Sequence, residues 1–275
     1  MKAFQKLLIL GSGKMGGSLL KGLTSNNELN FDISVVEPNL IKDNYNLISA
    51  NKIKYYQSIN DLKETDFDTI LFAVKPQVIS EVCLGVLENL DQKKIFSIIS
   101  ILAGTKVETF ESYFGLSPII RAMPNLAVSE GSGVTALYGN NNVNKAFKET
   151  TDKIFSGVGE VIWVDNEDMM DVVTSTSGSG PAYYFFLTEC LSLIAEEMGL
   201  SKENADKLSR QVAIGSSDIM KSSNDSLSSL REKVTSKGGT TEAALKVLMS
   251  PDKQFYNIFK KAIREAYKRS KDLSN

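Results

Sequence analysis

The chain has 275 residues, enough for one large or two ordinary domains, and its 31 Lys and Arg against 33 Asp and Glu leave a formal charge of −2. Such a balance, with no basic run to track a phosphate backbone, argues against nucleic acid as a partner. Histidine is absent, which removes the commonest general acid/base and the commonest metal ligand together, so no metal centre is expected and any chemistry must work without imidazole.

The opening MKAFQKLLILGSG has lysines before an apolar run. That run is too short for a secretory signal and ends in a glycine loop, so it reads as the first strand of a cytoplasmic protein. From Lys6 to about Val164, the β-rich runs KLLIL, ISVVE, KIKYY, TILFAV, IFSIIS, PIIRAM, GVTALY and EVIWV alternate with helical patterns. The pattern predicts an α/β domain over residues 1–164, a Rossmann-type doubly wound, largely parallel sheet. Its early strands are continuously apolar, as befits strands covered on both faces. After Trp163 no strand pattern remains, and residues 165–275 read as an all-helical second domain. Asp165 is a candidate cap, with Asp168 near the helix start, and helical runs are expected at Glu167 to Ser175, Pro181 to Met198, Lys202 to Lys221, Ser228 to Val234, Thr240 to Met249 and Asp252 to Asp272. The serine-rich stretch from Ser222 to Ser229 reads as a mobile connection. The apolar stretch Tyr183 to Ala195 is interrupted by Glu189 and falls short of a bilayer span, so no membrane partner is expected. Cys83 and Cys190 lie far apart in apolar surroundings without a CxxC pair and read as buried thiols of a reducing compartment.

In LLILGSGKMGGSLLKG the strand, the Gly11-x-Gly13-x-x-Gly16 spacing and the helix follow in the order that a dinucleotide fingerprint requires. Gly11 permits the tight turn, Gly13 lets the backbone approach a pyrophosphate, and Gly16 lets helix and strand pack closely. The helix N-terminus offers free N–H groups to the phosphates. Glu37 closes the second strand, where a carboxylate accepts hydrogen bonds from an adenosine ribose and repels a 2′-phosphate, although Lys42 nearby leaves a phosphate possible. The cofactor expected is therefore NADPH or NADH, with a lean toward NADH. AVKPQ and SILAG end successive strands on the carboxyl rim, where ligands of open α/β sheets bind, and two such loops could line one crevice.

Two glycine-rich breaks, SGSGPAY (Ser177 to Tyr183) and SKGGTT (Ser236 to Thr241), interrupt the helical half. Since Gly and Pro weaken helix interiors, both need a reason. The first suits helix packing, with Pro181 starting the next helix, and Tyr183, Tyr184, Phe185 and Phe186 suit a dimer or domain core. The second can hold a carboxylate on backbone N–H and hydroxyl groups as it enters a helix.

AVKPQ, SILAG, RAMPN (Arg121 to Asn125), SGSGPAY and VTSKGGTT stand in the order seen in pyrroline-5-carboxylate reductases, and the resemblance spans nearly the whole chain. It implies reduction of the C=N bond of 1-pyrroline-5-carboxylate to L-proline by NADPH or NADH, the last step of proline biosynthesis. It also implies a helical C-terminal domain that interleaves with its twin in a homodimer or higher homo-oligomer. The family's cofactor-contacting motifs fall on Leu10, Gly11, Ser12, Gly13, Lys14 and Met15, on Ala73, Val74, Lys75 and Pro76, and on Ile101, Leu102 and Ala103. Its substrate loop falls on Ser236, Gly239, Thr240 and Thr241, with Gly238 beside them bringing the backbone close, and Thr241 is the counterpart of the threonine that bonds the ring nitrogen. An imine is already electrophilic, so alignment of hydride and imine carbon is the main task and no strong base is required.

This chain departs from the family's pattern. Leu126-Ala127 replaces the usual Thr-Pro, Ser226-Leu227 the usual His-Pro, and Lys237 the proline of SPGG. Lys237 either aids carboxylate binding or marks an altered substrate. A related imine reductase, a β-hydroxyacid dehydrogenase or a non-catalytic dinucleotide-binding protein are the rival readings. The dehydrogenase is disfavoured because no lysine lies between Asp165 and Gly199.

Overall fold

The computed structural model describes residues 5–25, 31–91 and 93–273. It divides into two compact units, Met1–Gly178 with Tyr267–Asn275, and Ser179–Ala266. The first unit is built on an eight-stranded sheet of order β3-β2-β1-β4-β5-β6-β7-β8. Its strands are β1 (Gln5–Leu10), β2 (Phe31–Val36), β3 (Lys54–Tyr56), β4 (Thr69–Phe72), β5 (Ser97–Ser100), β6 (Ile119–Pro124), β7 (Gly133–Gly139) and β8 (Gly159–Trp163). The first six run parallel; β7 turns back antiparallel to β6, and β8 lies parallel to β7.

Alternate side chains of β1 enter opposite cores. Leu7 and Ile9 pack on the face covered by α1 (Lys14–Ser25), α2 (Lys42–Ala50) and α5 (Lys145–Ser156). Leu8 and Leu10 pack on the face covered by α3 (Ile79–Asn89) and α4 (Val107–Phe114). Both faces being dry, the strand shows no polar alternation, and the doubly wound reading is what the sheet displays. Cys83 on α3 is fully buried, and burial pushes its thiol up to about 12. Cys190, expected to be buried as well, is only half-buried.

Beyond the sheet come α6 (Met169–Val173) and a π-helical turn, Thr174–Gly178. The compact division therefore falls at Gly178 and not at 164, because α6 seats Met170 against Ala136 of β7 and so belongs with the sheet. The helix start is organised by Asn166, whose side chain accepts from the Asp168 N–H at 2.8 Å, in place of the expected Asp165 cap. A Cβ on Gly178 would lie 2.9 Å from the Met123 Cε, the movable end of a flexible side chain, so packing there does not by itself demand glycine.

The second unit contains α7 (Gly180–Glu197), α8 (Lys202–Ser222), α9 (Leu227–Lys233), α10 (Thr240–Leu248) and the first part of α11 (Gln254–Leu273). Pro181 sits in the first turn of α7, where its missing N–H costs nothing. The serine-rich stretch read as a mobile connection instead starts a helix: the Ser226 Oγ caps α9 by accepting from the Ser229 N–H at 3.2 Å, and Lys233 pairs with Asp225 at 2.5 Å. Among the described residues no helix is long and apolar enough to cross a membrane.

Candidate active site

At the carboxyl ends of β1, β2 and β4 opens a crevice of about 1080 Å³. Gly11 has φ +95°, and a Cβ there would lie 2.6 Å from the Ala73 carbonyl oxygen. Gly16, inside α1, faces the Gly11 carbonyl oxygen and the Ala73 Cβ, so it alone lets helix and turn touch. Gly13 differs: nothing lies within 4 Å of a Cβ placed on it, and it lines the crevice. The N–H groups of Gly13, Lys14 and Met15 make no hydrogen bond among the described residues. Two packing glycines with an open one between them, ahead of free helix N–H groups, fit a dinucleotide pyrophosphate.

Glu37 is held at this edge. One carboxylate oxygen accepts from the Ser12 N–H at 2.8 Å and the other from the Asn39 N–H at 2.9 Å, while the Tyr55 hydroxyl donates to the Glu37 carbonyl at 2.9 Å. Each carboxylate oxygen keeps a lone pair for a ribose hydroxyl. Asp61, Glu81 and Glu88 also line the crevice, with Lys75 as the basic residue of its lining.

Of the residues singled out in the sequence, Leu10, Gly11, Gly13, Glu37, Ala73, Val74 and Lys75 share this lining. Ile101, Leu102 and Ala103 lie outside the lining of this cavity, on the adjoining stretch of the same rim, since β5 pairs with β4. There the Ile101 N–H bonds the Phe72 carbonyl at 3.0 Å, the Ile101 side chain packs on one core and the Leu102 side chain, 2% exposed, turns into the other, leaving Ala103 exposed on the rim. Ser12 and Leu102 are buried side chains, so they serve through backbone and packing. Asn44 of α2 was not singled out; buried, it donates from Nδ2 to the Ser12 carbonyl and braces the glycine turn. Its one signal in the sequence is an amide in the otherwise apolar stripe of a short helix.

The second site residues gather in one turn. The Gly239 N–H donates to the Ser236 carbonyl at 3.0 Å, with Lys237 and Gly238 between them and Gly238 at φ +74°. A turn with positive φ at its third position favours proline at the second, so Lys237 occupies a proline-compatible place and the turn keeps its form without it. Glu242 reaches back from α10, its Oε2 accepting from the Gly238 N–H at 2.7 Å and its Oε1 lying 3.6 Å from the Lys246 Nζ. Gly238 thus forms the turn and gives its own N–H to Glu242. The N–H groups of Thr240, Thr241 and Glu242, and the hydroxyls of both threonines, make no hydrogen bond among the described residues. Free first-turn donors at the positive end of a helix suit an anion. The Leu126-Ala127 departure lies in a 3₁₀ turn, Leu126–Glu130, closed by Gly131 at φ +66°.

A Rossmann sheet with a phosphate-ready glycine turn, joined to a helical unit carrying an anion-ready turn, defines a nicotinamide-dinucleotide oxidoreductase with a small anionic substrate. Residues 167–273 match the family model for pyrroline-5-carboxylate reductase dimerisation, and residues 6–104 match that for NADP oxidoreductase coenzyme F420-dependent. The pyrroline-5-carboxylate reductase of Pseudomonas aeruginosa is 33% identical over 270 residues, 98% of this chain and 97% of that protein. Among solved structures, a pyrroline-5-carboxylate reductase from Coxiella burnetii is 34% identical with a TM-score of 0.90, covering 99% of this chain and 100% of that one. A Plasmodium falciparum pyrroline carboxylate reductase with NADP bound is 27% identical with a TM-score of 0.79, covering 98% of each chain. The chain belongs to the pyrroline-5-carboxylate reductase family.

Proposed function

We propose that this protein reduces the C=N bond of 1-pyrroline-5-carboxylate to give L-proline, as a cytoplasmic homodimer that prefers NADH. The observation that carries the reading is the Ser236–Thr241 turn, which presents unpaired N–H groups and two threonine hydroxyls at the start of α10 in a chain of this family. The substrate carboxylate binds the N–H groups of Thr240 and Thr241, with Ser236 and the Gly239 backbone shaping the approach. Thr241 places its hydroxyl against the ring nitrogen, a positioning role. A bound dinucleotide would supply hydride for the imine carbon, with the proton on nitrogen coming from solvent. Gly13, Lys14 and Met15 would hold its pyrophosphate, Glu37 its adenosine ribose, and Ala73–Pro76 with Ile101–Ala103 the rest of it along the rim.

Pairing of two chains is supported by α7, where Tyr184, Phe185 and Phe186 are 65%, 64% and 65% exposed, and by Ile258 of α11 at 72%. Apolar surface of this extent calls for a cover, and a second copy supplies it.

The test is purified protein with racemic 1-pyrroline-5-carboxylate and either dinucleotide, following cofactor oxidation by absorbance and product by chiral chromatography. L-Proline is the expected product; binding of the dinucleotide without turnover overturns the reading. In the same assay Thr241→Ala is expected to lower kcat roughly 10- to 100-fold while the protein stays folded. An unchanged kcat removes Thr241 from the mechanism.

NADH preference is a separate expectation. The fixed Glu37 carboxylate and its acidic neighbours repel a 2′-phosphate by on the order of 1–3 kcal/mol, so kcat/KM is expected to favour NADH by about tenfold or more. Glu37→Ser should narrow that ratio by weakening NADH and admitting NADPH. A wild-type preference for NADPH refutes the assignment.

A further inference from the structure

We propose that the C-terminal end of α11 is a positioning element for the cofactor, in which Ser270, bonded to Asp171, seats Leu273 against Gly104 and fixes the loop Ile101–Gly104. The proposal rests on the reading of Ile101–Ala103 as a cofactor contact.

From Tyr267 onward α11 belongs to the sheet unit. There the Ser270 Oγ donates to the Asp171 Oδ1 at 2.6 Å, and the two residues are only 6% and 5% exposed. A buried hydroxyl on a buried carboxylate is a charge-assisted bond shielded from water, stronger than its exposed counterpart. Asp171 stands on α6, whose Met170 and Val173 are embedded in the core beside β7, so this anchor is tied to the sheet. Asp168 and Asp171 also act on Lys271, whose ammonium is favoured first by the Tyr267 hydroxyl and then by these carboxylates.

One turn later the helix meets the rim loop. Gly104 has φ +74°, and a Cβ placed there would stand 2.8 Å from the Leu273 carbonyl oxygen. The two backbones thus approach as closely as glycine allows. The loop is tied down on both sides of this contact, by the Ile101 N–H to the Phe72 carbonyl at 3.0 Å and by the Val107 N–H to the Glu167 Oε1 at 2.9 Å. Between those ties Ala103 is exposed on the rim, and the tail supplies the third support. A contact loop that is ordered before the ligand arrives binds it without the entropy of ordering. Loosening the tail should therefore weaken dinucleotide binding while sparing the substrate turn, which lies in the other unit.

The experiment uses the full-length protein and measures NADH Kd by fluorescence titration, KM for each substrate, kcat and Tm. Ser270→Ala is expected to raise NADH Kd and KM about five- to tenfold, with kcat and the pyrroline KM within about twofold, and Ser270→Thr, which keeps the hydroxyl, to stay near wild type. Ala103→Glu is the control on the loop itself and should also weaken NADH. If Ala103→Glu weakens NADH and Ser270→Ala does not, the tail has no positioning role and the cofactor reading stands. If neither weakens it, the reading of the loop fails and the proposal with it. A Ser270→Ala protein whose Tm falls while NADH Kd is unchanged has lost stability only, which also overturns the proposal. Should that variant not fold, Asp171→Asn, which keeps an acceptor for Ser270 but removes its charge and leaves the loop sequence untouched, reads the same Kd.

Discussion

Gly11→Ala is expected to lose both stability and dinucleotide binding, whereas Gly13→Ala loses binding alone. At Gly11 the backbone has φ +95°, a region that costs an L-residue roughly 1–2 kcal/mol, and the new Cβ would stand 2.6 Å from one backbone atom of Ala73 and 2.8 Å from another. A backbone neighbour cannot rotate away as a side chain can. Moving it shifts the end of β4 against β1, where the Ala73 N–H donates to the Leu10 carbonyl at 2.8 Å. Strain and overpacking together suggest a loss of about 3 kcal/mol, or a Tm lower by roughly 6–12 °C. Gly13 has no such neighbour, so alanine fits the apo protein and Tm should hold. Its methyl nevertheless occupies the surface against which a pyrophosphate must lie, and NADH Kd is expected to rise on the order of 10- to 100-fold. Calorimetry paired with fluorescence titration separates the two positions. Equal behaviour of the two variants contradicts the division of labour within the fingerprint.

Loss of either partner of the Arg121–Glu167 pair is expected to destabilise the sheet unit more than loss of both. Arg121 lies on β6 with its side chain 4% exposed, and its Nη1 is 3.0 Å from the Glu167 Oε1. That same oxygen accepts from the Val107 N–H at the start of α4. Glu167→Gln keeps an acceptor for Val107 but strands a buried guanidinium, at a cost of roughly 3 kcal/mol. Arg121→Met removes the cation and leaves a carboxylate whose side chain is 21% exposed, so water compensates part of the loss. The double variant Arg121→Met with Glu167→Gln has no stranded charge, keeps the acceptor for Val107 and should be more stable than Glu167→Gln alone. Thermal unfolding of all three gives the coupling directly, and simple additivity rules out a shared interaction.

How far the site was legible depends on the reach of each interaction. Gly11, Gly13 and Gly16 were readable because their roles arise within one strand–turn–helix unit, where Gly11 and Gly16 meet backbone and Gly13 stands open. The substrate turn was readable as a glycine loop entering a helix. Its hydrogen-bond assignment was not, since Glu242 takes the Gly238 N–H from within the first turn of α10. Asn44 went unnoticed because nothing in its own helix shows that the carbonyl of Ser12 lies above it.

By itself, the sequence determined the eight strands, the doubly wound class, the helical second half and the family, because these rest on local hydrophobic period, on turn chemistry and on the order of motifs. Tertiary structure alone decided that Glu37 is clasped by the glycine turn, that SILAG stands outside the crevice, that the sheet unit extends to Gly178 and that the tail of α11 returns to it. The physical reason is distance along the chain: Val107 meets Glu167 and Asp171 meets Ser270 across 60 and 99 residues, and no periodicity within either segment encodes its partner.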